Sequence, residues 1–360
     1  MTTFIQFHAL IPYAAANPNR DDSGRPKTMI YGGVERLRIS SQSLKRAMRD
    51  GAVFRSELEG LMGVRAQSFA RELEQILKTQ HDVAPDKALA MARKVVEADR
   101  MGKLKGATTD TEQLAFLGPD EIARLRALAP ALAAGEELPA KEAVVLLNKP
   151  RAVDIALFGR MLADNPGYNV EAACQVAHAF TTHRAAVEDD YFTAVEELKR
   201  DRPGEDAGAG FIGVQEFGSG TFYLYVCLDA DQLIANLAGD HDLAARTGAA
   251  LAAAVAHVAP TGKQNAFASR VRAHYLLVEV GSAQPRTLGT AFQTPVNPRA
   301  TNDVVSESVK QLKALRDGFA EAYGRDWDDE RELTVSGPGA TMTEIAGFVA
   351  DAIRKAGSRG

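Results

Sequence analysis

The sequence is poor in cysteine and has no long apolar run. Cys174 and Cys227 are the two cysteines among 360 residues, and their wide separation matches no metal-binding spacing. We therefore expect two small buried thiols in a reduced protein. No apolar run is long enough to cross a bilayer, and the first residues lack the basic start and the small-residue cleavage site of a signal peptide. These absences predict a cytoplasmic protein with no membrane partner, no metal and no cofactor.

Acidic residues outnumber basic ones, which at first argues against a nucleic-acid partner. The formal net charge is −5, from 42 lysines and arginines and 47 aspartates and glutamates. The stretch from residue 20 to residue 49 is different, because only three acids interrupt its eight basic residues, Arg20, Arg25, Lys27, Arg36, Arg38, Lys45, Arg46 and Arg49. A basic patch on an acidic protein is typical of phosphate binding, although the same cations could simply decorate a solvated face.

The basic stretch spans a loop and then a helix. Alternating apolar residues predict a first strand over Thr3–Ile11. The segment from residue 13 to residue 33 follows; it is rich in Pro, Asn, Asp and Gly, and it carries Asn19, Arg20 and Lys27. Because this loop is longer than a simple connection requires, we expect it to be functional.

The sequence RISSQSLKRAMRDG predicts an amphipathic helix, with Ser41 as its N-cap and Gly51 as its stop. Helical spacing gathers the apolar side chains on one face: Leu44, Ala47 and Met48. It places an amide and three cations on the opposite face, without an acid among them: Gln42, Lys45, Arg46 and Arg49. The apolar side would anchor this helix to a sheet while the polar side offers a row of donors.

The rest of the chain predicts a long helical insertion followed by strands. Between residues 56 and 150, four segments have helical apolar spacing: Phe69–Lys78, Pro85–Met101, Asp120–Leu132 and Ala140–Leu147. Later helices are predicted at Val153–Met161, Glu171–His183, Asp242–Val258, Ser306–Tyr323 and Met342–Lys355. Strands are predicted as a hairpin about a Gly-Ser-Gly turn and as a separate apolar run: Gly213–Phe217, Thr221–Asp229 and Ala273–Val280.

The order of these elements predicts an α+β fold of the ferredoxin-like or RNA-recognition-motif-like class, split by the helical insertion. One segment does not fit a packed core. Asp201–Gly210 is charged and rich in Gly and Ala, with aromatic residues Tyr191 and Phe192 before it and Phe211 after it. This composition predicts a protruding arm.

Five separated motifs occur in the same order as in a known family. The first is a composite signature of NRDD at 19–22, Gly-Gly at 32–33 and RISSQSLKRAMR at 38–49. The others follow as VDIALFGRM, AHAFTTH, YFTAVEEL and GVQEFGSGTFY. In these motifs the sequence resembles CasC, the family of backbone subunits in type I-E CRISPR Cascade complexes. Beyond about Asp229 the resemblance is one of length and pattern.

The resemblance implies a non-catalytic, CRISPR RNA-binding protein shaped like a hand. It implies a palm at 1–55 and 221–360, helical fingers at 56–182 and a protruding thumb at 188–220. Copies would polymerise along the guide RNA, and each thumb would kink the RNA so that the segments between kinks pair with target DNA. The implied partners are CRISPR RNA, target DNA, neighbouring copies and the large, small, CasD-type and CasE-type subunits.

The resemblance also implies which residues contact RNA. Contacts to the RNA backbone are expected from the loop and the helix: Asn19, Arg20, Lys27, Ser40, Gln42, Lys45, Arg46 and Arg49. Contacts to displaced bases are expected from Met161, Tyr191, Phe192, Thr193 and Ile212. Arg49 stands where the family often has lysine, and its guanidinium can still fork two phosphate oxygens. Tyr191 stands where the family can have tryptophan, which reduces the stacking area.

Several alternatives stay open at the sequence level. Met161 and Phe192 also fit a role in the core, and Asn19 could cap its own loop. A second function is a metal-dependent ribonuclease, because type III relatives cut RNA with an acid in the loop after the first strand. Asp21 and Asp22 lie in that loop, and adjacent carboxylates can bind a hard cation.

Two further residue classes receive no functional assignment. His8, His178 and His183 are predicted to be structural, because His178 and His183 are five residues apart and miss the spacing of a helical metal pair. The fingers of some relatives carry a lysine-rich helix that follows duplex DNA. The corresponding region of this sequence offers only Lys141 and Lys149 as lysines, so we assign no contacts to duplex DNA.

Overall fold

The computed structural model describes residues 2–137, 144–195 and 209–356 and contains one large antiparallel sheet. Its nine strands are β1 (Phe4–Ala16), β2 (Thr28–Tyr31), β3 (Val34–Ile39), β6 (Cys174–Val176), β7 (Ala179–Thr181), β8 (Val187–Val195), β9 (Ala209–Asp229), β10 (Tyr275–Gly281) and β11 (Asp329–Thr334). A separate small hairpin consists of β4 (Val64–Ala66) and β5 (Ala115–Leu117).

Helices cover the sheet and fill the insertion. They are α1 (Ser41–Asp50), α2 (Ala52–Glu57), α3 (Phe69–Gln80), α4 (Pro85–Asp99), α5 (Pro119–Ala127), α6 (Ala129–Ala133), α7 (Val153–Phe158), α8 (Ala230–Asn236), α9 (His241–His257), α10 (Gln264–Phe267), α11 (Val304–Tyr323) and α12 (Met342–Lys355). The helices α3, α4, α9, α11 and α12 confirm their predicted positions within a few residues. Within the described part of the chain, no helix is both long and apolar enough to cross a membrane.

The central strands interleave as the predicted fold class requires, although one of them is β6 and not the predicted strand Gly213–Phe217. β1 lies between β10 and β9, and β9 also pairs with β6, all antiparallel. Since α1 and the insertion connect β1 to β6, and α9 connects β9 to β10, each helical connection skips over one strand. This is the split arrangement of the ferredoxin-like fold, and it confirms the α+β prediction.

One face of the sheet holds the main core. Apolar residues of β1 and β9 point to this face and pack on α1, α9 and α12. Its fully buried members include Ile5, Phe7, Ala9, Leu44, Met48, Leu228, Val255, Val349 and Ile353. The two predicted buried thiols, Cys174 and Cys227, are confirmed as free and buried. The apolar side of α1 is therefore fixed to the sheet, and its opposite side is left for other contacts.

The second face of the sheet is covered as well. Helix α11 and the segment 288–296 pack here on side chains that include Leu10, Tyr223, Tyr275, Phe292 and Leu312. Gln6 and His8, on this face of β1, are 4% and 0% exposed. Bases therefore have no open surface on this part of the sheet on which to stack.

The insertion has a core of its own, formed mainly by α3 to α6 with Leu162 and including Leu73, Leu77, Val95 and Leu125. Two sequence predictions near it are wrong. The predicted helix Glu171–His183 is replaced by the short strands β6 and β7, which belong to the main sheet. Of the predicted helix Ala140–Leu147, residues 140–143 lie outside the described residues, and 144–147 are not helical.

β8 and β9 form a long antiparallel hairpin, in which Val187 pairs with Gly218 at one end and Val195 pairs with Ala209 at the other. The predicted hairpin Gly213–Phe217 with Thr221–Asp229 is wrong, because β9 passes through the Gly-Ser-Gly sequence as one strand of 21 residues. Its later half pairs with β1, and its earlier half pairs with β8 alone. The hairpin therefore extends outward from the sheet. Most of the predicted arm Asp201–Gly210, residues 201–208, lies outside the described residues.

Candidate nucleic-acid interface

Helix α1 begins at a capped end. The Ser40 hydroxyl accepts a hydrogen bond from the backbone N–H of Ser43 at 3.3 Å, so the N-cap is Ser40 and not Ser41, as the sequence predicted. The predicted stop at Gly51 is confirmed. Because Ser40 is 8% exposed and its hydroxyl serves the helix, it fixes the start of the cation row.

The outward face of α1 carries a charge that is not neutralised. Lys45 Nζ lies 5.9 Å from the centre of the Phe158 ring, and no acid among the described residues forms an ion pair with it. Arg46 makes a 3.5 Å contact with Asp50 one turn on, with both side chains largely in solvent. Such exposed pairs contribute little and can open to accept a phosphate.

Arg49 is paired with an acid, whereas the sequence showed no acid among the polar side chains on this face of α1. Its Nε and Nη2 both lie 2.8 Å from Asp154 Oδ2, and its side chain is 14% exposed against 0% for Asp154. The acid comes from α7, over a hundred residues later, so local sequence could not reveal it. In this arrangement Arg49 is already paired with a buried carboxylate.

The loop after β1 is tied to the start of α1. Asn19 Oδ1 accepts a hydrogen bond from the Ser40 N–H at 2.8 Å, and the Asn19 carbonyl accepts one from the Lys27 N–H at 2.9 Å. The sequence alternative that Asn19 caps this region is thus realised. Arg20 is exposed, so the loop presents this cation beside the helix.

The two acids of the same loop have different environments. The Asp21 carboxylate accepts hydrogen bonds from the Ser23 N–H and hydroxyl and from the Arg25 N–H, which hold its pKa below the usual range. Asp22 is exposed. Within the described residues, no group of three side chains is arranged to hold a metal ion. Asp21 is therefore occupied by its own loop.

Not every cation of the basic stretch lies free at the surface. Arg36 is fully buried and donates to the carbonyls of Tyr31, Thr181 and Phe292, so its role is to join strands. Arg25 pairs with Glu216 at the base of the hairpin. The basic stretch therefore offers fewer surface charges than the sequence count indicated.

A second part of the basic surface forms around β3. Arg38 Nη1 lies 2.8 Å from His178 Nδ1, which faces solvent. Burial, and then the nearby charges of Arg38 and Lys27, lower the pKa of His178. Arg38 and Lys27 therefore place two positive charges near this ring.

The base-contacting candidates are open to solvent. Met161 is 80% exposed, which excludes the alternative of a core methionine. It follows Arg160, whose fully buried guanidinium pairs with Glu121 and so anchors the chain just before it. A thioether at an exposed position suits contact with an unstacked base.

The β8–β9 hairpin presents apolar side chains on both of its faces. Tyr191 and Ile212 are 63% and 56% exposed and belong to one face, with Thr193 paired to Ile212. Phe192 is 41% exposed and lies on the other face, where its ring centre is 6.0 Å from that of Phe211. Phe192 is therefore not in a closed core. Phe211 and Val214, exposed beside these residues, are candidates that sequence reasoning missed.

A groove with a volume of about 840 Å³ runs along the other flank of α1, between the helix and the segment 257–272. Five cations line it: Arg20, Arg46, Lys263, Arg270 and Arg272. The last three were missed by sequence reasoning, because the resemblance ends before them. The alternating SRVRAH sequence just before β10 was the available signal.

This groove is held in shape by close packing of two loops. A Cβ on Gly262 would lie 2.5 Å from the Pro18 carbonyl oxygen, so only glycine permits this approach. Lys263 Nζ donates to Gln215 Oε1 at 3.0 Å, which joins the groove to the base of the hairpin. The Lys263–Gln215 contact thus connects the groove to the hairpin, whose base also carries the exposed acids Asp189 and Asp190.

Comparisons with known proteins identify the family of this chain. A chain of a solved structure described as a CRISPR RNA-guided surveillance complex, pre-nicking, is 31% identical and superposes with a TM-score of 0.85, over 97% of this chain and 100% of its own. A second, from a CRISPR RNA-guided surveillance complex, is 26% identical with a TM-score of 0.73, over 97% and 99%. Among curated proteins, none matches. The family model described as CT1975-like protein matches residues 5–349, and the chain therefore belongs to the CT1975-like protein family.

Proposed function

We propose that this protein is a CRISPR RNA-binding backbone subunit of a type I-E Cascade complex. The observation that carries the proposal is the joint presence of two features in one chain. The polar side of α1 carries Lys45, which forms no ion pair with a described acid, beside the exposed Arg46, and a projecting hairpin exposes aromatic side chains. The chain also superposes nearly end to end on a chain of a CRISPR RNA-guided surveillance complex, and CasC-type motifs surround both features.

The chemistry of this surface suits single-stranded RNA of any sequence. Cations of the loop, helix and groove would neutralise phosphates, and each contact would release condensed counterions. Exposed rings of the hairpin would stack on displaced bases, which is worth about 1–3 kcal/mol per base and requires no particular sequence. Recognition of target DNA would then come from base pairing to the guide.

The proposal assigns the same three regions as the family resemblance. The sheet with α1 would be the palm, the helical insertion the fingers, and the β8–β9 hairpin the thumb that reaches the RNA of a neighbouring copy. Target DNA would join through the guide, and the large, small, CasD-type and CasE-type subunits would complete the complex. We propose no catalytic role for the chain, since Asp21 is engaged by its own loop.

Replacing Lys45 tests the proposal. Lys45→Ala should reduce the RNA that copurifies with the complex, because it removes an unpaired cation from the centre of the row. Lys310→Ala is the matched control, since Lys310 is 78% exposed on α11, which packs on the opposite face of the sheet. Nucleic-acid absorbance measures the RNA, and circular dichroism checks that both variants fold. Unchanged RNA content in Lys45→Ala would contradict RNA binding at this helix.

A cleavage assay separates binding from the ribonuclease alternative. The purified complex is incubated with complementary RNA and Mg²⁺. We expect the RNA to stay intact. Cleavage that is lost in Asp22→Ala would replace the binding-only proposal with a metal-dependent ribonuclease.

A further inference from the structure

The small β4–β5 hairpin carries an exposed arginine beside α1. The Phe116 ring contacts two guanidinium groups, with Arg49 Cζ 4.8 Å and Arg65 Cζ 4.3 Å from the ring centre. Phe116 is 5% exposed, so its ring is a fixed platform, whereas Arg65 faces solvent. An aromatic ring stabilises a cation over its face, which restrains the Arg65 side chain next to the α1 row.

Gly63 makes this close arrangement possible. A Cβ at this position would lie 2.7 Å from Phe116 Cε2 and 3.0 Å from the Leu117 carbonyl oxygen. The Gly63 N–H donates to Asp154 Oδ1 at 2.7 Å, and its carbonyl accepts from Arg49 Nη2 at 3.4 Å. The backbone of the hairpin, the ring and the buried ion pair are thus locked together.

The charges of this cluster do not balance. Asp154 Oδ2 is taken by Arg49, and Oδ1 accepts from the N–H groups of Gly63 and Ile155. The one carboxylate of the cluster is therefore paired with Arg49, and no acid among the described residues forms an ion pair with Arg65. Burial, followed by the charge of Arg49, lowers the pKa of Arg65. An anion from outside the chain would relieve this excess of positive charge.

We infer that Arg65 binds a phosphate of the guide RNA and continues the cation row of α1 onto the β4–β5 hairpin. This inference rests on the proposed function and adds a site to it. A guanidinium that lies on a ring keeps the N–H donors of its rim available, and their fork matches two phosphate oxygens. Arg49, paired to Asp154, positions the shared ring, and Arg65 supplies the free charge.

The test compares Arg65→Gln with Arg325→Gln. Arg325 is also exposed, and its Cζ lies 5.1 Å from the centre of the Trp327 ring, so the control removes the same chemistry at a distant site. We expect Arg65→Gln to weaken binding of single-stranded guide RNA about two- to fivefold, the range of an exposed charge contact. It should also lower the slope of log affinity against log salt by about 0.7, and Arg325→Gln should change neither.

Parallel measurements on Lys45→Ala keep the two proposals distinct. If Lys45→Ala weakens RNA binding and Arg65→Gln leaves affinity and salt slope unchanged, the inference about Arg65 is overturned and the proposed function stands. If neither variant changes RNA binding, the proposed function fails as well. A defect of Arg65→Gln that appears only after complementary DNA is added would also overturn the inference, because the phosphate would then belong to the target strand.

Discussion

At the scale of single residues, the cations of α1 divide into two kinds. Lys45 is free of ion pairs with described acids, whereas Arg49 is bonded to the buried carboxylate of Asp154. Removing one member of a buried ion pair is strongly destabilising, because the remaining charge is left with neither solvent nor a partner. Arg49 therefore positions the ring and the hairpin, and Lys45 is the residue available to a phosphate.

Replacing each cation by glutamine separates these roles. Arg49→Gln should lower the free energy of unfolding by about 3 kcal/mol, because it leaves Asp154 unpaired in the interior. Lys45→Gln should leave stability nearly unchanged and weaken RNA binding. Urea denaturation measures the first effect, and RNA titration the second. Equal free energies of unfolding for the two variants would contradict a stabilising role of the Arg49–Asp154 pair.

At the scale of elements, the β8–β9 hairpin exposes apolar side chains on both of its faces. Tyr191 and Ile212 lie on one face, and the Phe192–Phe211 pair lies on the other. An arm with exposed apolar groups on both faces can be inserted between two surfaces at once. Bases on either side of a kink are such surfaces.

Truncating one side chain on each face tests this use of the hairpin. Tyr191→Ala and Phe192→Ala should each leave the fold of the chain intact, because both side chains are exposed, and each should weaken guide binding by about 1–3 kcal/mol per lost base stack. Tyr323→Ala is the control, since Tyr323 is an aromatic residue that is 84% exposed on α11. Chemical probing of the bound guide should lose its periodic reactive positions in the two hairpin variants only. A loss in one variant alone would assign the kink to a single face.

The elements that local sequence predicted well are those whose contacts are local. Helix α1 and helices α3, α4, α9, α11 and α12 follow from apolar spacing and capping residues. The Gly-Ser-Gly sequence was misread as a turn, because its glycines serve long-range packing. A Cβ on Gly218 would lie 2.6 Å from Leu37 Cδ1, and one on Gly220 would lie 2.7 Å from Thr181 Cγ2. Such neighbours are distant in sequence and leave no local pattern.

In the candidate site, too, contacts between segments that are distant in sequence were not predicted. Motifs indicated the loop, α1, Met161 and the hairpin, all of which the structure leaves accessible in part. The Arg49–Asp154 pair, the position of Arg65 on Phe116 and the groove with Arg270 and Arg272 depend on how separate segments meet. No spacing rule within one segment predicts these contacts.

At the scale of the whole molecule, a buried polar network joins the sheet to α11. His8 is fully buried, with Nδ1 2.9 Å from the Tyr223 hydroxyl and Nε2 3.3 Å from Glu279 Oε2. Arg286 and Arg316 also bond to Glu279. Burial lowers the pKa of His8 from 6.5, although Glu279 opposes the shift. The network therefore holds a neutral imidazole in the centre of the fold.

This network predicts how stability depends on pH. Below pH 6.5 the unfolded chain takes up a proton on His8 that the folded chain refuses until its lower pKa is reached. Stability should therefore fall as pH drops through this window, by up to about 1.4 kcal/mol per pH unit for one proton. His8→Gln should show a shallower fall between pH 7.5 and 5.5, measured by urea denaturation, than the exposed control His241→Gln. Identical slopes in the two variants would contradict this role of His8.

The continuity of β9 has a mechanical consequence. Its 21 residues pass without interruption from the interior of the sheet into the projecting hairpin, a distance of roughly 70 Å at the usual rise per residue. The distance that the hairpin projects is therefore set by the number of residues beyond the point where β9 leaves the sheet. If the proposed function holds, the length of guide RNA that one copy spans would depend on this strand, and paired insertions in β8 and β9 would change it stepwise.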